Sequence, residues 1–187
     1  MNDEKEKMVT VEEAIKRILG SIEPLQAETI SILDATERVL FEDAISQFDV
    51  PPLDNSAMDG YAIIAENISH ASREKPGVLT IIEEIKAGGD FEKKRVKENT
   101  AIRIMTGAPI PDGADSVIEF ESTLEEDGRV LVLRRVKRGE NIRRAGEDIE
   151  KGSVVLRRGD RLKSSDIGQH QDKKNEISRN ALYVYQP

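Results

Sequence analysis

Cysteine and tryptophan are both absent from the sequence, and aromatic residues make up only 4% of it. The lack of cysteine excludes disulfides, thiolate metal sites and cysteine nucleophiles together. With so few aromatic rings, the chain has little material for the stacking platforms on which single-stranded nucleic acids bind. The hydrophobic core must therefore be built from isoleucine, valine, leucine and alanine.

Long apolar runs and a net positive charge are also missing. No stretch approaches the roughly 20 apolar residues that a membrane-spanning helix needs, and the first ten residues carry mixed charges where a secretory signal has an apolar core. The formal net charge of -8, with 34% charged residues, argues against bulk attraction to nucleic acid. We therefore expect a cytoplasmic protein that binds neither nucleic acid nor membrane.

The spacing of apolar residues predicts an α+β, β-rich fold. Thr10 and Glu13 have the spacing of a capping box, and apolar residues then recur at helical spacing, which predicts a helix from about residue 11 to 22. Short apolar runs between glycine and proline turns predict strands along the rest of the chain, with Asp127 and Gly128 as a hairpin turn. The predicted strands are 29–33, 39–45, 78–85, 101–105, 116–120, 130–136, 153–156 and 182–185.

The segment VPPLDNSAMDGY, at 50–61, concentrates polar groups among prolines and a glycine. Asp54, Asn55, Ser56 and Asp59 supply two carboxylates, an amide and a hydroxyl within six residues. Because the prolines restrict the backbone, these side chains could be presented to a ligand at low entropic cost. The alternative is that they only cap turns or a one-turn helix, and the residues by themselves favour that structural interpretation.

A second cluster, RIMTGAPIPDG, places Thr106 before Gly107 at the end of a predicted strand. Backbone amides exposed in such a turn form a concave group of donors, so the turn could face an anion. It is not a phosphate-binding P-loop, because no Gly-Lys-Ser/Thr follows. Glycine and proline that simply mark turns are the alternative.

A third cluster, GENIRRAGED, combines two arginines with two carboxylates. Arg143 and Arg144 could grip a phosphate, and Glu147 and Asp148 could hold a hard cation such as Mg²⁺. A surface ion-pair network explains the same residues at least as well. The basic run at 134–138, just before this cluster, indicates a solvated strand edge or an interface first and an anion site second.

Three strings, in this order, resemble the MoeA family of molybdopterin molybdenumtransferases, to which the E domain of gephyrin is related. They are PPLDNSAMDGYA at 51–62, IRIMTGAPIPDGAD at 102–115 and GENIRRAGEDI at 139–149. With the opening VTVEEAIKRIL, the resemblance extends from about Val9 to Ile167. Three long, ordered matches are much more specific than any single short motif.

The resemblance implies the architecture of the family's N-terminal domains I and II, two small domains with the second inserted into the first. A discontinuous linker and dimerisation domain would comprise 1–45 and 145–187, and an inserted β-rich domain would comprise 46–144. The family's larger α/β domain and its C-terminal β domain have no match here, so we expect an N-terminal part of the enzyme that is inactive alone. The polar stretch 168–180 departs from the family, because it lacks the expected helical stripe.

Family enzymes insert molybdate into adenylylated molybdopterin and release AMP with the help of a divalent cation. The resemblance therefore implies Mg²⁺ as cofactor, molybdate and adenylylated molybdopterin as substrates, a homodimer, and a molybdopterin-adenylylating enzyme as pathway partner. Asp59, Thr106 and Asp148 match active-site positions of the family and are the expected catalytic residues, with Asp59 and Asp148 as candidate metal ligands. The expected substrate-binding residues are Asp54, Asn55, Ser56, Arg143 and Arg144.

On this hypothesis the chain supplies a dimerisation surface and one wall of a composite active site. A non-catalytic scaffold or interaction module of the same fold is the alternative, because fold does not determine function. A third, less favoured hypothesis is a β module that binds an anion or a nucleotide by itself through Arg143 and Arg144. The net negative charge opposes polyanions at long range, although a local basic patch can still bind a small phosphate.

Overall fold

The structure, a computed structural model, describes residues 9–23, 25–86, 88, 94–168 and 181–186. The chain folds into two compact units. Unit 1 comprises Met1–Ala44 and Leu156–Pro187, and unit 2 comprises Ile45–Val155.

The second boundary between the units lies later in the chain than the sequence predicts. The resemblance implies that residues 145–155 belong to the first domain, but the structure includes them in unit 2. The reason is local pairing, because Val50 forms a bridge with Ile149 and the Gly146 N–H donates to the carbonyl of Pro51 (3.0 Å). The clusters at 50–61 and 139–149 therefore belong to the same folded unit.

Unit 1 begins with helix α1 (Val11–Gly20). The side chain of Thr10 accepts a hydrogen bond from the backbone N–H of Glu13 (3.2 Å), which confirms one half of the predicted capping box. The helix ends at Gly20 and not at residue 22, because the N–H and the hydroxyl of Ser21 both donate hydrogen bonds to the carbonyl of Ile18. No helix of the described residues is long and apolar enough to cross a membrane.

The strands of unit 1 enclose a small core. β1 (Ala27–Ser31) pairs antiparallel with β12 (Ala181–Tyr185), which confirms the predicted strand at 182–185. The predicted strand at 29–33 is wrong at its end, because Ser31 caps a 3₁₀ helix at Ile32–Asp34. The buried residues of this core are Ala35, Leu40, Leu162 and Val184.

The predicted strand at 39–45 is broken into short pieces. Val39 bridges to Arg161 and Leu40 to Val184, so neighbouring residues pair with different partners. Regular pairing resumes only at β2 (Ala44–Ile45), which pairs with β11 (Val154–Leu156). A short helix, α2 (Ser164–Gly168), follows. The stretch 169–180, where the sequence gives no helical stripe, lies outside the described residues.

Unit 2 is built on a six-stranded sheet. Its strands are β4 (Gly60–Ile63), β5 (Gly77–Ile85), β6 (Thr100–Ile104), β7 (Ser116–Glu119), β8 (Thr123–Glu126) and β9 (Arg129–Val132). They lie in the order β7-β4-β6-β5-β9-β8, and all neighbouring strands are antiparallel except β5 and β6, which are parallel. A second pair is formed by β3 (Asn55–Ser56) and β10 (Ile142–Arg143).

Most of the strands predicted for this unit are confirmed. β5, β6 and β7 agree with their predicted ranges to within a residue. Asp127 (φ 48°) and Gly128 (φ 72°) form the predicted hairpin turn between β8 and β9, with the two positive φ angles that the Asp-Gly signal indicates. β9 is shorter than predicted, since it ends at Val132 and not at residue 136.

The centre of the sheet is buried on both faces. Tyr61 and Ile63 of β4 pack in one cluster, whereas Ala62 packs in the other, as alternation along a strand requires. Antiparallel pairing places Gly60 opposite Ile104. Asp59 precedes the start of β4, and Thr106 follows the end of β6. The buried pairing of these two strands therefore holds Asp59 and Thr106 next to each other.

Candidate functional site

Three loops of unit 2 carry the polar clusters that the sequence singles out. They are loop A (residues 50–59), loop B (105–113) and loop C (139–149). β3 in loop A pairs with β10 in loop C, and Asn55 of loop A forms a bridge with Pro109 of loop B. Loop A is therefore bonded to both of the other loops.

The side chain of Asp59 contacts Thr106 directly. Oδ1 of Asp59 accepts a hydrogen bond from the Thr106 N–H (2.7 Å) and another from its hydroxyl (2.8 Å). The backbones are joined as well, since the Ser56 N–H donates to the carbonyl of Ala108 (2.9 Å). Gly107 has φ +79°, a left-handed conformation that lets the chain turn back directly after Thr106. Two residues predicted to be catalytic thus form one hydrogen-bonded unit.

The two bonds from Thr106 stabilise the charged form of Asp59. The backbone N–H of Thr106 first, and its hydroxyl second, hold the pKa of the Asp59 carboxyl below its usual range. The carboxylate is therefore ionised at neutral pH while its residue remains exposed. Oδ2 accepts no hydrogen bond from the residues that the structure describes, so it is available to a ligand.

The amides near Gly107 are all used within the protein, so of the two interpretations that the sequence allows, the structure favours the turn and not a site for an external anion. The Thr106 N–H is used by Asp59. The Gly107 N–H donates to the carbonyl of Ser56 (2.9 Å), and the Ala108 N–H donates to that of Met105 (2.9 Å). All three donors satisfy groups of the protein itself, which is what the turn-forming alternative predicts.

Asp54 joins loop A to loop C. Its Oδ1 accepts a hydrogen bond from the Ala145 N–H (2.9 Å), and its Oδ2 pairs with Nη1 of Arg144 (2.5 Å). The backbone bond from Ala145, and then the bond from Arg144, lower the pKa of the Asp54 carboxyl. Arg144 is 60% exposed at its side chain, so its remaining donors face solvent. These two predicted substrate-binding residues therefore pair with each other at the surface.

Arg143 and Asp148 also pair with each other. Nη2 of Arg143 lies 2.7 Å from Oδ1 and 2.6 Å from Oδ2 of Asp148. Both carboxylate oxygens of Asp148 thus have a cationic partner. Among the described residues no three His, Asp or Glu side chains converge as a metal cage would require.

The Ser56 side chain is buried and bonds within loop A, whereas Asn55 is half-buried. Ser56 is only 1% exposed, and its hydroxyl donates to the carbonyl of Met58 (2.5 Å) and accepts from the Met58 N–H (3.3 Å). This is the turn-capping geometry that the sequence offered as the alternative. Oδ1 of Asn55 is buried and accepts no hydrogen bond from the described part of the chain.

Sequence reasoning missed a network at the edge of these loops. Arg134, taken as part of a solvated basic run, pairs with Glu119 (2.6 Å) and Glu140 (2.8 Å). Asn141 has φ 58° and donates its side-chain amide to the carbonyl of Val117 (3.0 Å). The only sequence signal was the asparagine, since asparagine tolerates left-handed backbone better than most residues. Arg134 already has two anionic partners, so its guanidinium is not free to bind a substrate anion.

The Glu119 carboxylate makes stability depend on pH. The bond from Arg134, and then that from Ser122, lower its pKa to about 2 from an ordinary 4.5. A lowered pKa contributes stability that is fully present above pH 4.5 and is lost as pH falls through about 2. Glu119→Gln should therefore destabilise the chain at neutral pH by about 1–2 kcal/mol, allowing for solvent screening.

Urea unfolding at pH 7, 4.5, 3 and 2.5 checks this expectation. The difference between wild type and E119Q should be nearly constant from pH 7 to about 5 and should shrink from there toward pH 2.5. Below pH 4.5 the unfolded wild-type chain binds a proton at Glu119 that the folded carboxylate, with its pKa of about 2, still resists, and this favours unfolding of the wild type. A difference that stays the same at every pH would show that the charge of Glu119 contributes nothing.

Comparison with known proteins places this geometry among molybdopterin biosynthesis proteins. The molybdopterin molybdenumtransferase of Staphylococcus epidermidis is 38% identical over 167 residues, which cover 89% of this chain and 40% of that protein. The enzyme of the same name from Bacillus subtilis is 39% identical over 163 residues, covering 85% and 38%. The crystal structure of the molybdopterin biosynthesis MoeA protein from Pyrococcus horikoshii superimposes with a TM-score of 0.86 at 38% identity, covering 96% of this chain and 46% of that one.

The fold is therefore that of the strand-rich N-terminal part of molybdopterin biosynthesis proteins. Residues 9–170 match the sequence profile of the MoeA N-terminal region (domain I and II). The chain belongs to the MoeA family. It spans about 40% of the length of the curated relatives that it matches.

Proposed function

We propose that this chain acts in molybdenum cofactor biosynthesis as the part of a molybdopterin molybdenumtransferase that supplies a dimerisation surface and one wall of a composite active site. The reaction would insert molybdate into adenylylated molybdopterin and release AMP. The observation that carries the proposal is the Asp59–Thr106 unit, an ionised and exposed carboxylate fixed where loops A and B meet.

Asp59 and Thr106 have different roles: Thr106 fixes the carboxylate, and Asp59 supplies the negative charge. Thr106 uses both of its donors on Oδ1, which fixes the carboxylate and leaves Oδ2 without a hydrogen bond from the described residues. A fixed anion can orient water or a cation beside the phosphoanhydride of an adenylylated substrate without reorganising during the reaction. Arg144, exposed at the adjoining loop, would meet the negative charge of the phosphate.

Magnesium fits Asp59 better than it fits Asp148. Mg²⁺ is usually held by one or two carboxylates together with substrate phosphates and water, so a single exposed carboxylate is sufficient on the protein side. Oδ2 of Asp59 meets that requirement, whereas both oxygens of Asp148 are engaged by Arg143. The bound ion would neutralise charge on the phosphates. We therefore propose Asp59 as the ligand and Asp148 as the partner that holds Arg143.

The proposed dimer would use the apolar face of α1. All ten residues of α1 are described, and none of them is buried. Val11 is 70% exposed and Leu19 is 64% exposed. Contiguous apolar surface of this kind on a folded chain usually marks an interface, and a second copy would cover the face symmetrically.

Replacing one apolar residue of α1 tests the dimer. Ile18→Glu should shift sedimentation of the chain from dimer to monomer at micromolar concentration, because it buries a charge in the interface. Lys16→Glu is the matched control, since it adds negative charge on the polar side of the same helix and should leave the sedimentation unchanged. A wild-type chain that sediments as a monomer at high concentration would contradict the proposal.

A chimera tests the enzymatic role. Residues 9–170 would replace the corresponding region of the Bacillus subtilis relative, and the chimera would be assayed for molybdate insertion in a host that lacks its own molybdopterin molybdenumtransferase. A matched chimera with the region from Staphylococcus epidermidis controls for the joining of the two parts. Activity in both chimeras supports the proposal. A stable chimera of this chain that is inactive, beside an active control, supports the scaffold alternative instead.

A further inference from the structure

The ion pair between Glu119 and Arg134 lies behind loops A and C, among residues that the proposed chemistry does not use. Glu119 ends β7, and its two carboxylate oxygens accept from Nε (2.9 Å) and Nη2 (2.6 Å) of Arg134. The Glu119 side chain is only 15% exposed. Nη1 of Arg134 donates to Glu140 (2.8 Å), so the guanidinium joins β7 to the start of loop C.

Asn141 continues this network into loop A. Its side-chain amide donates to the carbonyl of Val117 (3.0 Å) and to Oε2 of Glu119 (3.3 Å). Its own carbonyl accepts a hydrogen bond from the Ala57 N–H (3.0 Å). The residue has φ 58°, and the side-chain bonds hold the backbone in that uncommon conformation. Two steps therefore connect the Glu119 carboxylate to loop A.

A second connection reaches Asp59 from the other side. Gly60 pairs with Glu119 across β4 and β7. The N–H of Phe120, which follows Glu119, donates to the carbonyl of Asp59 (3.2 Å). The backbone of Asp59 is thus bonded to the strand end that carries Glu119, and Ala57 is bonded to the loop that Glu119 fixes.

We propose that Glu119 is a positioning residue that holds Arg134 and Asn141 in place, so that loop A presents Asp59 to Thr106. The chemical meaning of that presentation rests on the proposed function, but the positioning is a property of this chain alone. The low pKa of the Glu119 carboxyl agrees with a carboxylate that stays charged across the working range of pH. A residue with a purely structural role would stabilise unit 2 as a whole and would have no selective effect on loop A.

Amide hydrogen exchange on the full chain separates these roles. The readout is protection of the Ala57 and Thr106 amides relative to Ile81, whose N–H bonds to the carbonyl of Gly128 elsewhere in unit 2. In E119Q we expect protection at Ala57 and Thr106 to fall about tenfold more than at Ile81, because local opening of loop A adds to global unfolding. Equal losses at all three amides, or none, would overturn the proposal.

Two further variants complete the test. Glu28→Gln removes a partly buried ion pair with Arg38 in unit 1 and should change none of the three amides of unit 2. Asn141→Gly keeps the left-handed backbone, removes only the side-chain bonds, and should reproduce the selective loss at Ala57 with the Glu119–Arg134 pair intact. If the Ala57 amide in N141G were protected as well as in the wild type, the proposed connection from Glu119 through Asn141 to loop A would be overturned. This result does not depend on whether E119Q folds well. Exchange is read without turnover, so this outcome is independent of whether the chimera inserts molybdate.

Discussion

Asp59→Asn should lower the rate of molybdate insertion by the chimeric enzyme by on the order of 10²–10³-fold, the loss that follows when one preorganised charged or hydrogen-bonding group is removed from a site. The substitution keeps the shape of the side chain and an oxygen that accepts both bonds from Thr106. It removes only the negative charge. Because the residue is exposed, folding should be unaffected.

Two further variants show whether the loss of rate in D59N comes from the charge at this position. Asp127→Asn makes the same chemical change at the exposed hairpin turn between β8 and β9, where asparagine suits the positive φ, and should leave the rate unchanged. Thr106→Val, which keeps the backbone N–H but loses the hydroxyl bond to Asp59, should give a smaller loss than D59N. Turnover of D59N within twofold of wild type, with urea unfolding unchanged, would leave loop A as scaffold only.

The sequence predicts unit 2 better than unit 1 for a physical reason. In unit 2 the strand signal and the turn signal agree. Directly after the Asp127-Gly128 turn, Val130 and Val132 of β9 are buried while Arg129 and Leu131 are more exposed, as alternation along a strand predicts. In unit 1 the residues around Leu40 pair with partners far away in sequence, such as Val184. The neighbouring residues Val39 and Leu40 pair with different partners, and no local pattern records such a change of partner, so the strand predicted at 39–45 fails.

At the candidate site, the sequence likewise predicts which residues are important but not which residues they contact. The resemblance singles out Asp59 and Thr106, and the structure places them in contact. No spacing rule, however, indicates that Asp54 pairs with Arg144, which is 90 residues later in the chain. Nor does residue type reveal that Ser56 is buried, since serine is an ordinary loop residue. Chemistry-bearing residue types are visible in the sequence, but their partners depend on the tertiary fold.

Gly60, where β4 begins directly after loop A, is the position at which we expect the largest effect of a substitution on stability. A Cβ on Gly60 would lie 2.0 Å from the carbonyl oxygen and 2.8 Å from the carbonyl carbon of Ile118. These are backbone atoms of the paired strand β7, so no side chain can move aside to make room. Gly60→Ala should therefore cost about 3 kcal/mol or more, at the upper end of overpacking effects.

Urea unfolding of the chain measures this cost against two other glycines. At Gly20, a Cβ meets nothing within 4 Å, so Gly20→Ala at the end of α1 should be neutral or stabilising by about 0.5–1 kcal/mol. At Gly77, a Cβ would lie 2.8 Å from the Cγ2 atom of Ile68. Because that atom belongs to a side chain that can shift, Gly77→Ala should fall between the other two. A loss below 1 kcal/mol for G60A would mean that β4 and β7 can separate at little cost next to Asp59, and the close approach of the two strands would then contribute little to stability.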